Sequence, residues 1–340
     1  MALPSSCGAC NKQAVRPIKM RLVYISREAS SFSRFALVQL VVVNHSLDTV
    51  NILFHLTSPG LAILSGLFFS LSYKDARSKI KSIAQKIVTP YLCVNLLYFI
   101  VYYFGKTIVA ESGLSGAYKR PPPTFSITGL IEGITVNPAN GPYWFLRDLI
   151  IAQTAAVLVF KLPAKLRFFQ VTLIFIIACV WMPTHRFFTP FVGGLLFGQV
   201  LRFDCFEHPI YKIKKLLNQD SSKFLLGFFS LFVFCVCNRF WHYFPLLSNL
   251  IGGGALLLFF LTISILFKDS NPEFFERISF WVFSFHAMVI GSLKLLVLFF
   301  GLRLDFVTSV LIYIATNILI LISFATATKG DSLRKKIFIP

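Results

Sequence analysis

The stretch SRFALVQLVVVNHSLDTVNILFHLTSPGLAILSGLFF, Ser33–Phe69, decides how the chain is read. It is apolar enough for two lipid-length helices, expected at roughly 35–53 and 55–73 and joined by a very short turn. Inside the first sit Asn44, His45 and Asp48. A charged group at the centre of a span costs about 2.5–3.5 kcal/mol on insertion scales, so such a residue marks a functional position by default. Arg34 stands eleven residues before His45. At about 100° per residue both side chains lie on one helix face, about 16 Å apart along the axis. A cation at one end of a face and an imidazole deeper in it suit an anionic substrate group at the first and proton transfer at the second. Asp48, near the same face, is placed to orient the imidazole or stabilise its protonated form. The plainer readings are a polar cluster bonded between helices for His45 and a positive-inside anchor for Arg34.

Working outward, the 340 residues are 56% hydrophobic and only 14% charged, with 39 Phe. An ordinary soluble domain is about 25% charged, so the composition excludes a soluble enzyme and points to an all-α polytopic membrane protein. The net charge of +19 could suggest nucleic acid. The Lys and Arg residues, however, sit in the connectors between apolar runs, as the positive-inside rule requires, and no nucleic-acid partner is expected. Cys7 and Cys10 form a lone CxxC with no second pair at zinc-type spacing, so no metal is expected.

Beyond the first two spans, eight more are expected at roughly 87–104, 142–160, 168–183, 187–201, 224–241, 246–267, 279–300 and 306–327. About ten spans put both termini on one side. The connectors on that side, including YKDARSKIKSIAQK, are the basic ones, while 105–141 holds only Lys106, Lys119 and Arg120. Both termini are therefore expected in the cytoplasm. Residues 1–33 read as a basic cytoplasmic tail rather than a signal peptide, 34–328 as the transmembrane domain, and 329–340 as a second basic tail.

Other polar residues fall at span ends or within spans. His55 sits at the mouth of the second span, where the plainer reading is an interfacial histidine. Trp144 fits an aromatic belt, but Arg147 and Asp148, about a turn inside the membrane, favour a cavity-facing position. Adjacent residues point about 100° apart, so these two need not pair. His286 lies in the apolar run WVFSFHAMVI and is either a second site group or a packing histidine. Lys294 is about 80° round from it and does not clearly share its face. Ser65, Gly66 and the clusters FVGGLLFGQ and IGGGALL read as helix packing.

These residues together resemble the acyltransferase-3 family of integral membrane acyltransferases over roughly 33–327. Arg34 and His45 match its Arg-x10-His pattern. SPGLAILSGLFF is similar to its small-residue second helix, and KIVTPYL to its basic stretch before Pro-Tyr, here richer in Lys than in Arg. GPYWFLRDL and FSFHAMVI resemble its fourth-span opening and its late His span. The resemblance implies an O-acyltransferase in the bacterial cytoplasmic membrane. It would use acetyl-CoA or another acyl-CoA as co-substrate, with a surface or lipid-linked saccharide as acceptor and polysaccharide assembly proteins as partners. His45 would act as general base or transient acyl carrier, with Asp48 orienting it. Arg34, with Arg77 and Lys86, would hold the acyl-CoA side. Trp144, Arg147, Asp148, His286 and His55 would face the acceptor. Two other readings suit the composition: a transporter or flippase of a glycan intermediate or small acid, and a non-catalytic member of a polysaccharide export assembly.

Overall fold

The computed structural model describes residues 27–47, 56–111, 126–135, 144–201, 220–264 and 271–329. Among them every regular element is a helix. Helix α1 (Arg27–Ser46) carries Arg34 and His45 on one unbroken rod, and α2 (Thr57–Ser72) follows it. Helix α3 (Ala76–Ile83) leads through a π turn (Ala84–Val88) into α4 (Thr89–Glu111). The short α5 (Ile127–Thr135) precedes α6 (Trp144–Phe160), α7 (Ala164–Trp181) and α8 (Phe188–Val200). Then come α9 (Asp220–Arg239), α10 (Pro245–Ile263, with a π turn at Ser248–Gly252), α11 (Pro272–Phe299) and α12 (Phe306–Lys329).

By length and composition, five helical stretches can cross a membrane: Ala76–Val101, Ala164–Trp181, Pro245–Ile263, Pro272–Phe299 and Phe306–Ala327. Thr57–Ser72, Phe188–Val200 and Phe224–Arg239 are apolar but shorter. The outer sides of the bundle are apolar too. Phe224, Leu225, Phe228, Phe229 and Phe232 of α9 are all exposed, a surface that lipid covers at no cost and water does not.

Three helix starts differ from the sequence reading, the first being α1, which begins at Arg27 rather than near 35 and so takes in part of the segment read as a tail. The basic segment at 74–86 is not a plain connector. Asp75 caps it by accepting from the Ser78 amide (2.8 Å), and the helix runs on through Pro90. Proline has no N–H and crowds the carbonyl four residues back, so it normally marks a boundary. The π turn just before it loosens the ladder at that point, and the Thr89 hydroxyl donates to the Ala84 carbonyl (3.0 Å). Helix α11 starts at Pro272 rather than near 279. Asn271 caps it by accepting from the Glu273 and Phe274 amides, and Pro272 sits where a missing N–H is harmless.

The core is built on glycine. Helices α2 and α8 touch backbone to backbone: a Cβ at Gly66 would collide with the Phe191 carbonyl, and one at Gly194 with the Ile63 carbonyl. The Gln199 amide donates to the Ser70 hydroxyl (2.9 Å) in the same seam. Gly253 of α10 abuts Pro59 and Gly60 of α2. The glycine clusters thus pack helices, as small residues in apolar bundles do. This block fixes α2, α8 and α10, and α1 lies between it and α11.

Candidate active site

His45 stands in the last turn of α1 with its side chain exposed. Its backbone carbonyl accepts from the Lys294 ammonium of α11 (3.1 Å). The C-terminal carbonyls of a helix lack partners and attract cations, so Lys294 caps α1 and ties it to α11. His286, on the same long helix, is fully buried, and its ring centroid is 5.4 Å from that of His45, tilted by 35°. The sequence spacing separates Lys294 from His286 by about 80°, yet both reach the same turn of α1, because a lysine side chain is long enough to span the difference.

The His286 tautomer is fixed by its neighbours. Nδ1 lies 3.1 Å from the Val282 carbonyl and 2.9 Å from the Phe283 carbonyl. A carbonyl only accepts, so Nδ1 carries the hydrogen and Nε2 the lone pair. Nε2 is buried and has no hydrogen-bond partner among the described residues. Two residues on, the Met288 amide donates to the Tyr98 hydroxyl of α4 (2.6 Å), which braces this turn of α11 from the other side.

Arg34 lies at the other end of the α1 face, with its side chain exposed. The first turns of α1 and α11 run together there. The Ser31 hydroxyl donates to the Glu276 carboxylate (3.1 Å), Phe32 and Phe35 pack on Phe275 at 5.8 and 5.3 Å, and the Glu276 charge attracts Arg34. Arg34 and His45 therefore share one helix and one neighbour, α11. Asp48 and His55 lie outside the described residues.

A second polar cluster sits at the start of α6. Asp148 is buried, and Arg147 donates to its Oδ1 through both Nε (3.0 Å) and Nη2 (2.9 Å). The expectation that these neighbours need not pair is corrected: the arginine is long enough to fold back round the helix, and a buried carboxylate needs a counter-charge. His185, in the turn between α7 and α8, brings Nε2 to 4.0 Å from Asp148 Oδ2. Its Nδ1 accepts from the Phe187 and Phe188 amides, both at 3.2 Å, and so caps the start of α8. Burial pushes the His185 imidazole below its ordinary pKa, while Asp148 pulls it up and Arg147 pushes it down. Sequence reasoning passed over His185; WMPTHR reads as an ordinary turn, and only the fold brings it to Asp148. Trp144, half-buried, meets Phe145 edge-on at 6.0 Å.

An aromatic wall joins the two clusters. From His286 it passes to Phe283 (6.0 Å), Phe145 (6.0 Å), Phe187 (4.9 Å), Phe188 (5.5 Å) and His185 (4.8 Å). At the far end of α2, Arg77 and Lys86 are exposed on the basic helical segment. Nearby, Lys79 lies 4.5 Å over the Phe69 ring and Arg167 5.0 Å over Phe160. The structure thus brings His45 to His286 and Arg147 to Asp148, and keeps Arg77 and Lys86 on a separate element.

The chain matches the family model described as an acyltransferase domain over residues 23–326. No curated protein matches it, and neither does any solved structure.

Proposed function

Because the chain belongs to the acyltransferase-3 family, and is a membrane acyltransferase on that ground, we propose that it transfers an acyl group from cytoplasmic acyl-CoA to a hydroxyl of a surface or lipid-linked saccharide. Acetyl is the first candidate for the group, and the bacterial cytoplasmic membrane for the site. The carrying observation is one helix that holds Arg34 near its start and an exposed His45 ring at its end, the latter beside a buried second imidazole.

In this reading His45 accepts the proton of the acceptor hydroxyl as its oxygen attacks the thioester carbonyl. The carbon–oxygen bond forms, the carbon–sulfur bond breaks, and the proton passes on to the departing thiolate. In a two-step variant a His45 nitrogen takes the acyl group first and hands it to the hydroxyl. Arg34 holds the donor or stabilises negative charge on the thioester oxygen. Arg77 and Lys86 supply positive field for the CoA phosphates. Trp144, Arg147, Asp148, His55 and polysaccharide assembly partners belong to the acceptor side, and Asp48 to the support of His45.

The test is mass spectrometry of surface glycan from cells making wild type, Arg34→Ala or His45→Ala at equal membrane abundance. Wild type should add an O-linked mass that names the acyl group, and both variants should lose it. Addition by His45→Ala would remove His45 from the chemistry.

A further inference from the structure

His286 poses a specific question. It is a buried imidazole with one nitrogen satisfied twice over and the other, among the described residues, not at all. Nδ1 is committed to the Val282 and Phe283 carbonyls, so Nε2 is an acceptor that must find a donor or carry the cost of a buried, unpaired lone pair. Among the described residues, the rings of Phe283 and His45 stand against it. Phe283, at 6.0 Å, has no donor to offer; His45, at 5.4 Å, has one. Two imidazoles joined by an N–H···N bond of about 3 Å have centroids roughly 5–5.5 Å apart, so the observed spacing suits such a bond after a small turn of the exposed His45 ring.

We propose that His286 is the positioning residue for His45: its Nε2 accepts the His45 N–H and so fixes His45 in the tautomer whose other nitrogen presents a lone pair to the substrate. His286 is neutral throughout and moves no proton. It does for His45 what a buried carboxylate does for a catalytic histidine elsewhere, without bringing a charge into lipid. The backbone around the pair is pinned to serve this: Lys294 holds the His45 carbonyl, and Tyr98 holds the Met288 amide. The role rests on the reading of His45 as the group that serves the acceptor hydroxyl, and it assigns His286 to His45 rather than to the acceptor.

The test uses the full chain labelled with 15N-histidine in detergent, with the His45 ring signals identified by their loss in His45→Ala. Ring nitrogen shifts report the tautomer directly. Wild type should show His45 in one tautomer. His286→Gln, whose amide oxygen takes the place of Nε2, should keep it and hold transfer within about threefold. His286→Leu should give a tautomer mixture and lower kcat about tenfold or more with little change in KM. His286→Phe is the second apolar variant should the leucine not fold. A wild-type His45 populating both tautomers alike, or one unchanged by the loss of Nε2, overturns the proposal. Transfer by His45→Ala would sink the catalytic reading instead, and the tautomer result would still stand or fall by itself.

Discussion

His185 shows how one side chain can tie pH to structure. Its Nδ1 lone pair holds the Phe187 and Phe188 amides, so protonating the ring removes the cap of α8. Burial is the main reason that its folded pKa lies below the ordinary histidine value, with Asp148 opposing and Arg147 assisting. The native protein therefore binds this proton less readily than the unfolded chain does. The resulting stability is complete above the ordinary histidine range and is lost as pH falls through that range to the lowered folded value. Thermal melting in detergent from pH 8 to pH 5 should show a falling Tm, and His185→Asn, which keeps a capping oxygen and cannot titrate, should flatten that fall. Asp148 is the stiffer constraint. Asp148→Ala leaves the Arg147 guanidinium beside a buried hole, and breaking a buried pair in this way costs about 3–5 kcal/mol, with the low end expected because Arg147 is partly exposed. The double variant with Arg147→Met should recover part of the loss, and a double-variant loss equal to the sum of the Asp148→Ala and Arg147→Met losses would show the pair to be uncoupled.

At the scale of the helix, glycine position decides what a methyl group does. Gly66→Ala and Gly194→Ala place a Cβ against backbone in the α2–α8 seam, where nothing can give way, and each should abolish folding or lower Tm by many degrees. Gly291→Ala in α11 meets nothing within 4 Å and should be neutral or stabilising by about 0.5–1 kcal/mol. Thermal unfolding of the three variants decides between packing and mere helix propensity. The small-residue pattern of α2 and α8 was legible in the sequence because close approach admits few residue types. Helix starts were less so. The span was expected from about 279, but the Asn271 cap and Pro272 set the start of α11 seven residues earlier. Pro90 falls inside the span expected at 87–104, and the π turn before it relieves the crowding that would otherwise break the helix. Arg34 and His45 do share one helix, because the eleven-residue spacing is a property of the helix alone, but His45 was expected mid-span and stands instead in the last turn of α1. The Arg147–Asp148 pair and the approach of His185 depend on side-chain reach and on which turn lands where, and periodicity carries neither.

Across the whole molecule the polar groups divide between two ends. Arg34 and Glu276 lie where α1 and α11 begin, and the exposed Arg77 and Lys86 belong to the basic segment between α2 and α4. His45, Arg147, Asp148 and His185 lie where α1 and α7 end and α6 and α8 begin. Along α1 the step from Arg34 to His45 is about 16 Å, close to half of a hydrocarbon core about 30 Å thick. In the proposed function a donor held by its phosphates at the first end would reach about 16 Å along α1 to bring its thioester to His45, and the acceptor would approach from the second end. On the sequence expectation that both termini are cytoplasmic, the first end would face inward. Two measurements check this together. In a background with the native cysteines replaced, Lys81→Cys should resist an impermeant thiol reagent on intact cells, and Thr184→Cys should react. Inverted vesicles given external acyl-CoA should acylate glycan, while right-side-out vesicles given the same donor should not. Transfer by both kinds of vesicle would mean that the donor is not confined to the basic end, and Arg34 would then lose its place as the donor anchor.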